Sequence, residues 1–275
     1  MTVRIEALGK ADAPAFLPLL HAEGWLFEPR DLERLLELPG GGIAAWLEGR
    51  LVGGLTVLLH DRLAWIGNVV VSPAQRGKGV AQAMLEHALL RFGQGRSVRL
   101  CSVLPARSLY LRLGFRAEGP CATFAGPAQA ASKAEGVERG AAHVADVVAY
   151  DRRAFGADRS ALLSRLAKEF PDGLFVARDG ARVRGYVLLR AGPAGGELGP
   201  WIADDDATAE ALLDAALSRV PVANLEATVP THREASRRML LRRGLEERFP
   251  TVLMVRGNHR MDLARTYGLC ALEKG

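Results

Sequence analysis

Residues 69–89, VVVSPAQRGKGVAQAMLEHAL, constrain the fold most, because they place a turn with two glycines between a buried strand and an amphipathic helix. Helix N-termini favour acidic side chains, since their unpaired backbone N–H groups leave partial positive charge there. The first turn here instead carries Arg76 and Lys78 and no acid. Each of these costs the helix about 0.3–1 kcal/mol when no anion is bound. The stretch therefore predicts a strand, a loop and a helix whose N-terminus binds an anionic ligand.

The two glycines indicate what kind of anion is bound. Gly77 and Gly79 have no Cβ atom, so the loop can bring consecutive backbone N–H groups close to a phosphate or pyrophosphate. A Walker loop would need Ser or Thr after the lysine, and a dinucleotide fingerprint would need a third glycine where this chain has Gln82. Taken alone, the motif is also compatible with an ordinary strand-to-helix turn whose basic side chains are in solvent and bind no ligand.

The two halves of the chain repeat one order of elements. Hairpin patterns lie around Gly49 and Gly180, the strands WIGNVVV and LGPWIA follow them, and short helices end at Gly114 and Gly244. Corresponding patterns are about 130 residues apart, which favours a duplicated domain over an array of short repeats.

The predicted fold class is α/β, in the layered α+β sense, with a mixed and largely antiparallel sheet flanked by helices and present twice. Because FAGPAQAASKAEGVERGAA is rich in Ala and Gly, we predict domains over 1–125 and 143–275, joined by a linker over 126–142. In the first half, VRIEAL is predicted to be the opening strand and VRLCSV the strand after the helix. RAEGPCATFAG is predicted to form a closing pair of strands.

Composition narrows the class of function. The 275 residues are 49% hydrophobic and 24% charged, which is typical of a soluble globular protein with two cores. No apolar run resembles a signal peptide or a membrane span, so we expect a cytoplasmic protein without a membrane partner. The net charge of +5 comes from scattered basic residues, so nucleic acid is not an expected partner. The three cysteines and six histidines lack metal-ligand spacing, so no metal is expected.

The pattern Arg76-x-x-Gly79-x-Ala81, directly after a strand and Pro73, resembles the pyrophosphate loop of the GNAT superfamily, the acyl-CoA-dependent N-acyltransferases. Further along, residues 106–115, ARSLYLRLGF, match the superfamily pattern A-x-x-L-Y-x-x-x-G-F completely. Val103 stands where the family commonly has an asparagine. The polar contact that this asparagine usually makes with CoA is therefore not expected here. The resemblance covers residues 3–126, and the duplication suggests the tandem, two-domain bacterial members.

The resemblance implies an acetyl-CoA donor and a primary amine, favoured to be a small molecule, that attacks directly in a ternary complex. The strand over 69–71 would splay from its neighbour, pair with the pantetheine arm and hold the oxyanion on a backbone N–H group. Tyr110 would protonate the leaving thiolate. The implied CoA-binding residues are Val69, Val70, Val71, Arg76, Gly77, Lys78, Gly79, Val80, Ala81 and Tyr110.

A general base must also take a proton from the ammonium of the acceptor. The candidates are Glu23, in the helical region on the acceptor side, and His60 with Asp61, in the hairpin before the key strand. We select Glu23 as the base and assign Trp25 and His60 to the acceptor pocket. The sequence leaves open the acceptor, the length of the acyl chain and the oligomeric state.

A non-catalytic module that senses acyl-CoA or a metabolite is the alternative to an enzyme. The presence of both the loop and Tyr110 in one half favours the enzyme, because a sensor would not need a proton donor.

The second half is predicted to be a degenerate and catalytically silent copy. Asp204, Asp205 and Asp206 stand where the first half has its glycine loop, and their charges would repel a pyrophosphate. Leu240 stands where the first half has Tyr110. We therefore expect one acetyl-CoA per chain.

Overall fold

A computed structural model describes residues 3–25, 27–129, 136–192, 195–219 and 223–275. Its strands are β1 (Arg4–Leu8), β2 (Gly40–Leu47), β3 (Arg50–His60), β4 (Leu63–Val71), β5 (Ser97–Val103), β6 (Arg116–Gly126), β7 (Val137–Arg139), β8 (Leu174–Asp179), β9 (Arg182–Gly192), β10 (Gly195–Ala203), β11 (Leu225–Pro230), β12 (Glu246–Arg256) and β13 (Thr266–Gly268). Its helices are α1 (Ala13–His21), α2 (Pro29–Glu37), α3 (Val80–Phe92), α4 (Arg107–Arg112), α5 (Val144–Phe155), α6 (Ser160–Glu169), α7 (Asp206–Arg219) and α8 (Glu234–Arg242).

All of these strands join one sheet in the order β1-β2-β3-β4-β5-β12-β6-β11-β10-β9-β8-β7, and β13 pairs with β10 beside this path. Within the described ranges, the pairs β4–β5 and β10–β11 are parallel and the other pairs are antiparallel. The predicted fold class, a mixed and largely antiparallel sheet flanked by helices, is confirmed.

The last strands of the two halves are exchanged at the centre of this sheet. When the order is read inward from each edge, β1 to β5 correspond to β7 to β11. Between them, β12 pairs with β5, β6 pairs with β11, and β6 and β12 pair with each other. Each half of the sheet is therefore completed by a strand from the other half.

This exchange corrects one sequence prediction. RAEGPCATFAG forms the single strand β6 rather than a closing pair, because it spans between β12 and β11 without a turn. The antiparallel neighbour of β6 is instead β12, which comes from the second half. The boundaries at 125 and 143 stay a prediction, and the sheet runs continuously across them.

The predicted hairpins and outer strands are confirmed. Glu48 and Gly49 have φ values of 51° and 76°, which suit a two-residue turn between β2 and β3. Gly180, with φ of 55°, occupies the turn between β8 and β9. Within the predicted linker, residues 137–139 form β7, which pairs with β8. Residues 130–135 of that linker lie outside the described residues.

Helices cover both faces of the sheet, and β4 shows how side chains divide between them. Ala64 and Ile66 pack with residues of α3 and α4, on the side we call the α3 face. Leu63 and Trp65 pack with α5 and α6, on the side we call the α1 face, because successive residues of a strand point to opposite faces. Leu35 of α2 joins the same cluster, so the helices of both halves meet on the α1 face. None of the described helices is long and apolar enough to cross a membrane.

A buried ion pair joins the halves on that face. Arg34 of α2 is 2% exposed, and its Nε donates to Glu169 of α6 at 2.6 Å. Its Nη1 also donates to Asp31 at 2.7 Å. Loss of one partner from a buried pair leaves an uncompensated charge, so this contact holds α2 and α6 in one arrangement.

Candidate active site

Strands β4 and β5 separate after a short parallel pairing. Their partners run from Leu63 with Ser97 to Trp65 with Arg99. Beyond Trp65, no described strand pairs with this edge of β4, although the other edge stays paired with β3 as far as Val71. The predicted splay is therefore confirmed, and it leaves a strand edge to which an extended ligand can add.

A β-bulge lies inside the splayed part of β4. The register with β3 shifts, so that Asn68 and Val69 together oppose Leu55. Asn68 has φ of 53°, a conformation that asparagine tolerates better than most residues, and its Nδ2 donates to the buried Thr56 Oγ1 at 3.2 Å. Bulges re-aim backbone groups, so the N–H and C=O groups of residues 68–69 do not follow the rest of the strand.

The loop between β4 and α3 has the geometry of an anion site. Gly77 and Gly79 have φ values of 76° and 80°, and a Cβ atom added to either would meet no atom within 4 Å. Glycine is therefore needed for the backbone conformation, and the space outside the loop is open to a ligand. Val80 begins α3 without a side-chain cap, and no acid lies in its first turn. The predicted strand, loop and helix are confirmed.

The basic side chains of the loop are held by neighbouring groups. Arg76 donates from Nε to the carbonyl of Val71 at 3.0 Å, and its guanidinium also donates to the carboxylate of Glu23. Lys78 donates from Nζ to Gln75 Oε1 at 3.1 Å. The fold thus brings Glu23, from the connection between α1 and α2, to the loop.

Tyr110 of α4 lies on the α3 face beside the same strand. It is 5% exposed and belongs to one apolar cluster with Val71 and Val80. Phe115 contacts it edge-on, with ring centroids 5.9 Å apart. Burial raises the pKa of Tyr110 to about 12, and its hydroxyl has no hydrogen-bond partner among the described residues. The phenol is therefore protonated at neutral pH and can donate its proton to a ligand.

The structure separates the two residues assigned to the acceptor pocket. Trp25 is partly buried and packs with Phe16, Leu20 and Val70, so it lies beside the end of β4 on the α1 face. His60 pairs with Leu63 at the opposite end of β4. At about 3.3 Å per residue, Leu63 and Val71 are about 26 Å apart along the strand.

His60 is also enclosed by the protein. It is 4% exposed and contacts Phe155 edge-on at 5.4 Å. Burial, and then the charge of Arg159, lower its pKa to about 3. Its position argues against the expectation that His60 binds the acceptor, and we do not include it in the proposed site.

Sequence analysis missed the C-terminal segment, residues 269–275, which crosses the α1 face of β4. Trp65 donates from Nε1 to the carbonyl of Leu272 at 3.0 Å. A Cβ atom added to Gly67 would lie 2.4 Å from Cβ of Glu273, so the two backbones are in close contact. No motif marks this segment, and the apolar run YGLCAL over residues 267–272 is the local signal from which its packing could have been predicted.

The second half has the same splay, but the chain itself fills it. Strands β10 and β11 pair in parallel over residues 196–198. Beyond that point β13 pairs with β10 at Trp201, and the N–H group of Leu269 donates to the carbonyl of Thr228 on β11 at 2.8 Å. A bulge between Leu198 and Trp201 repeats the one in β4.

The start of α7 differs from the start of α3 as the sequence predicted. Asp205 Oδ1 accepts a hydrogen bond from the N–H group of Thr208 at 2.8 Å, so an acid of this chain satisfies the helix terminus. Tyr267 and Arg233 both donate to the carboxylate of Asp206.

Two family models match the chain, one in each half. The model of the acetyltransferase (GNAT) family matches residues 7–115, and that of an acetyltransferase (GNAT) domain matches residues 147–268. Holothin acyltransferase from Pseudoalteromonas sp. (strain SANK 73390) is 28% identical over 92% of this chain and 88% of that protein.

Two further relatives extend the likeness. The uncharacterized N-acetyltransferase YitH of Bacillus subtilis (strain 168) is 27% identical, and the match spans 57% of each protein. The crystal structure of a Pyrococcus horikoshii protein matches with a TM-score of 0.86 and 21% identity, over 99% of this chain and 96% of that one. At that identity the structural match establishes the fold alone.

Proposed function

Since this chain belongs to the GNAT family of N-acyltransferases, which use acyl-CoA donors, we propose that it transfers an acetyl group from acetyl-CoA to a primary amine of a small molecule. The observation that carries the proposal is the convergence of three features at one end of β4. These are the glycine loop, the splayed strand edge and Tyr110.

The donor would bind along β4 and the loop. The pyrophosphate would accept hydrogen bonds from the backbone N–H groups between Gly77 and Ala81, and Arg76 and Lys78 would neutralise its charge. The pantetheine arm would pair with the free edge of β4 at residues 69–71 as an added strand. The open space outside Gly77 and Gly79 supports this pose, because a Cβ atom added to either glycine would meet no protein atom within 4 Å.

The chemistry would take place at the bulge. A backbone N–H group of residues 68–70 would hold the oxyanion that forms when the amine attacks the thioester carbonyl. Tyr110 would then give its proton to the sulfur. With a pKa of about 12 the phenol is a weaker acid than a thiol of pKa about 8.5, so we place this transfer in concert with cleavage of the C–S bond. No covalent intermediate on the enzyme is needed.

Glu23 and Trp25 would lie on the acceptor side of the loop. The packing of Trp25 against the cluster that contains Val70 supports its place in the wall of the acceptor pocket. Glu23 was selected as the base, but its ion pair with Arg76 supports a different role. We propose that it holds Arg76 in place before the donor binds.

The second half would be a silent copy that braces the sheet. The occupation of its splay by β13, and the three acids at the start of α7, support one donor site per chain. Two observations support a small acceptor. The similarity to holothin acyltransferase covers almost the whole of both chains. In addition, the helices and the C-terminal segment on the α1 face leave the end of β4 partly enclosed.

Thiol release from acetyl-CoA tests the proposal. The panel should include benzylamine, spermidine, a lysine peptide and holothin, and the product should be identified by mass spectrometry. We expect release that depends on a small amine and yields its N-acetyl derivative. Parallel reactions with octanoyl-CoA would show whether the donor carries a longer chain. Binding of acetyl-CoA without release over the whole panel would favour a sensing module, and fastest turnover of the peptide would overturn the small acceptor.

A further inference from the structure

Glu273 lies across the splay between β4 and β5. Its Cβ and Cα would be 2.4 and 2.6 Å from a Cβ atom added to Gly67, which immediately precedes the bulge. On the other strand, the pKa of the Cys101 thiol is raised well above its usual value by a hydrogen bond with Cys121 and by burial. The negative charge of Glu273 adds to that shift. Glu273 is therefore close to the point where the thioester would lie.

Glu273 and Tyr110 approach this point from opposite faces of the sheet. Gly275 contacts the ring of Trp65, whose side chain is on the α1 face, and Glu273 follows the same side. Tyr110 packs with Ile66 on the α3 face. An amine that attacks a thioester carbonyl from one side needs a proton acceptor there, while the sulfur leaves toward a proton donor. The two residues have this arrangement.

Several contacts fix the segment that carries Glu273. Trp65 binds the carbonyl of Leu272 at 3.0 Å, and Arg159 Nη1 donates to the carbonyl of Gly275 at 2.9 Å. Arg159 is itself 2% exposed and bound to Asp151 at 2.8 Å. The backbone on both sides of Glu273 is thus anchored to buried groups, as is needed to hold a reacting side chain in place.

Lys274 is the charged partner of Glu273. Its carboxylate accepts a hydrogen bond from Lys274, which is 3% exposed and also lies 3.4 Å from Glu197. Burial would lower the pKa of Lys274, but Glu197 and Glu273 raise it above its usual value, so this ammonium is charged. Glu197 is also the partner of the buried Arg190, so two acids and two buried cations form one network on this side of Glu273.

We propose that Glu273 is the general base of the first-half site and accepts a proton from the ammonium group of the amine. The inference rests on the proposed function and adds a residue that the second half supplies. One proton of R–NH3⁺ passes to Glu273, and the free amine forms the C–N bond. As the intermediate collapses, the C–S bond breaks and Tyr110 protonates the sulfur. The second proton leaves the nitrogen and restores Tyr110, and Glu273 releases its proton to solvent.

The test compares the wild type with Glu273→Gln, using the alkylamine of the panel that turns over fastest. The amide keeps the shape of the side chain but cannot accept the proton. We expect kcat/KM to fall about 100-fold at pH 7 with unchanged affinity for CoA. The variant must use the free amine, so its kcat/KM should rise about tenfold per pH unit between pH 7 and 9. The wild type should stay nearly flat over this range. A purely structural role would give the same loss at every pH.

Glu6→Gln is the control, because it removes an exposed carboxylate of β1 that is paired with Arg4 and lies outside the network of Glu273. We expect its turnover and pH profile to match the wild type. Glu273→Asp keeps the charge but shortens the side chain, so its kcat/KM should fall less than that of Glu273→Gln. It also takes the place of Glu273→Gln in the test if the amide variant does not fold. Wild-type turnover in Glu273→Gln, or a pH-independent loss in both variants, would overturn the role of Glu273 alone. Failure of the wild type to acetylate any alkylamine would overturn the inference and count against the proposed function.

Discussion

The guanidinium of Arg76 is bound to the carboxylate of Glu23, so the main cation of the glycine loop already has an anionic partner. Arg76 is also held from behind by the carbonyl of Val71. A pyrophosphate at the loop must therefore share Arg76 with Glu23 or displace it. Because Glu23 follows α1 and precedes α2, the same contact connects donor binding to the acceptor side of the site.

We expect Glu23→Gln to bind CoA several-fold more tightly, because the variant removes an acid that competes for Arg76 and repels the pyrophosphate. Exposed ion pairs contribute little, so the gain should stay below about tenfold. Isothermal titration with CoA measures it. Glu33→Gln, which removes an acid of α2 that is paired with Lys10 instead, is the control and should leave the affinity unchanged. A fall of kcat by about 100-fold in Glu23→Gln would support Glu23 as the base after all.

Replacement of Gly79 by Val should weaken CoA binding by more than tenfold, about 1.4 kcal/mol, because the side chain would block the approach of the backbone to the pyrophosphate. Gly95→Val is a matched control. Gly95 also has a positive φ, 69°, and open space around it, but it lies beyond the other end of α3. Both variants should lose similar stability, and only Gly79→Val should lose affinity in titration calorimetry. Equal affinities in the two variants would contradict the assignment of the loop.

The sequence predicted the elements well and their pairing less well. The hairpins and the capped α7 depend on local patterns, and the structure confirms them. The splay of β4, which the family resemblance implied, is confirmed as well. The single strand β6 and the position of Glu273 depend on partners far away in the chain, and a local pattern contains no information about such partners. The sequence could not place His60 relative to the loop for a related reason, because a hairpin prediction does not say which end of the strand lies beside the loop.

Tyr110→Phe should keep the affinity for CoA and lower kcat by about 100- to 10,000-fold, because it removes only a proton donor. Since the pKa of Tyr110 is raised to about 12, the wild type should show no loss of kcat from its ionisation between pH 7 and 10. Single-turnover measurements make the comparison independent of product release. An unchanged single-turnover rate would leave Tyr110 as a packing residue, and a wild-type rate that falls near pH 9 would contradict its raised pKa.

Acetyl-CoA should saturate the full chain at one molecule per chain, because β13 fills the splay of the second half. Titration calorimetry gives the stoichiometry directly. In the Gly79→Val variant, no tight binding should remain. A stoichiometry of two, or a tight site that survives Gly79→Val, would show that the second half also binds the donor.

The buried histidine should make the protein sensitive to acid. The pKa of His60 is about 3 in the folded state and about 6.5 when unfolded, so below pH 6.5 the unfolded chain takes up a proton that the folded chain does not. Stability is therefore fully present above pH 6.5 and falls as the pH drops, by up to about 2 kcal/mol at pH 5. Urea unfolding of His60→Leu at pH 7 and 5 should show a smaller loss than the wild type. The exposed His232→Gln should behave like the wild type, and equal losses in all three would contradict this account.

The exchange of β6 and β12 also dictates when this enzyme can become active during its synthesis. The loop, Tyr110 and the whole of β5 are made early, but the sheet beside β5 is closed by β12, which ends at Arg256. Domains usually fold in order as they leave the ribosome, from the N-terminus onward. Here the edge of β5 stays open until β12 has emerged. A nascent chain that stops before that point carries the glycine loop and Tyr110 beside an incomplete sheet, and the exposed edge of β5 can pair with another chain.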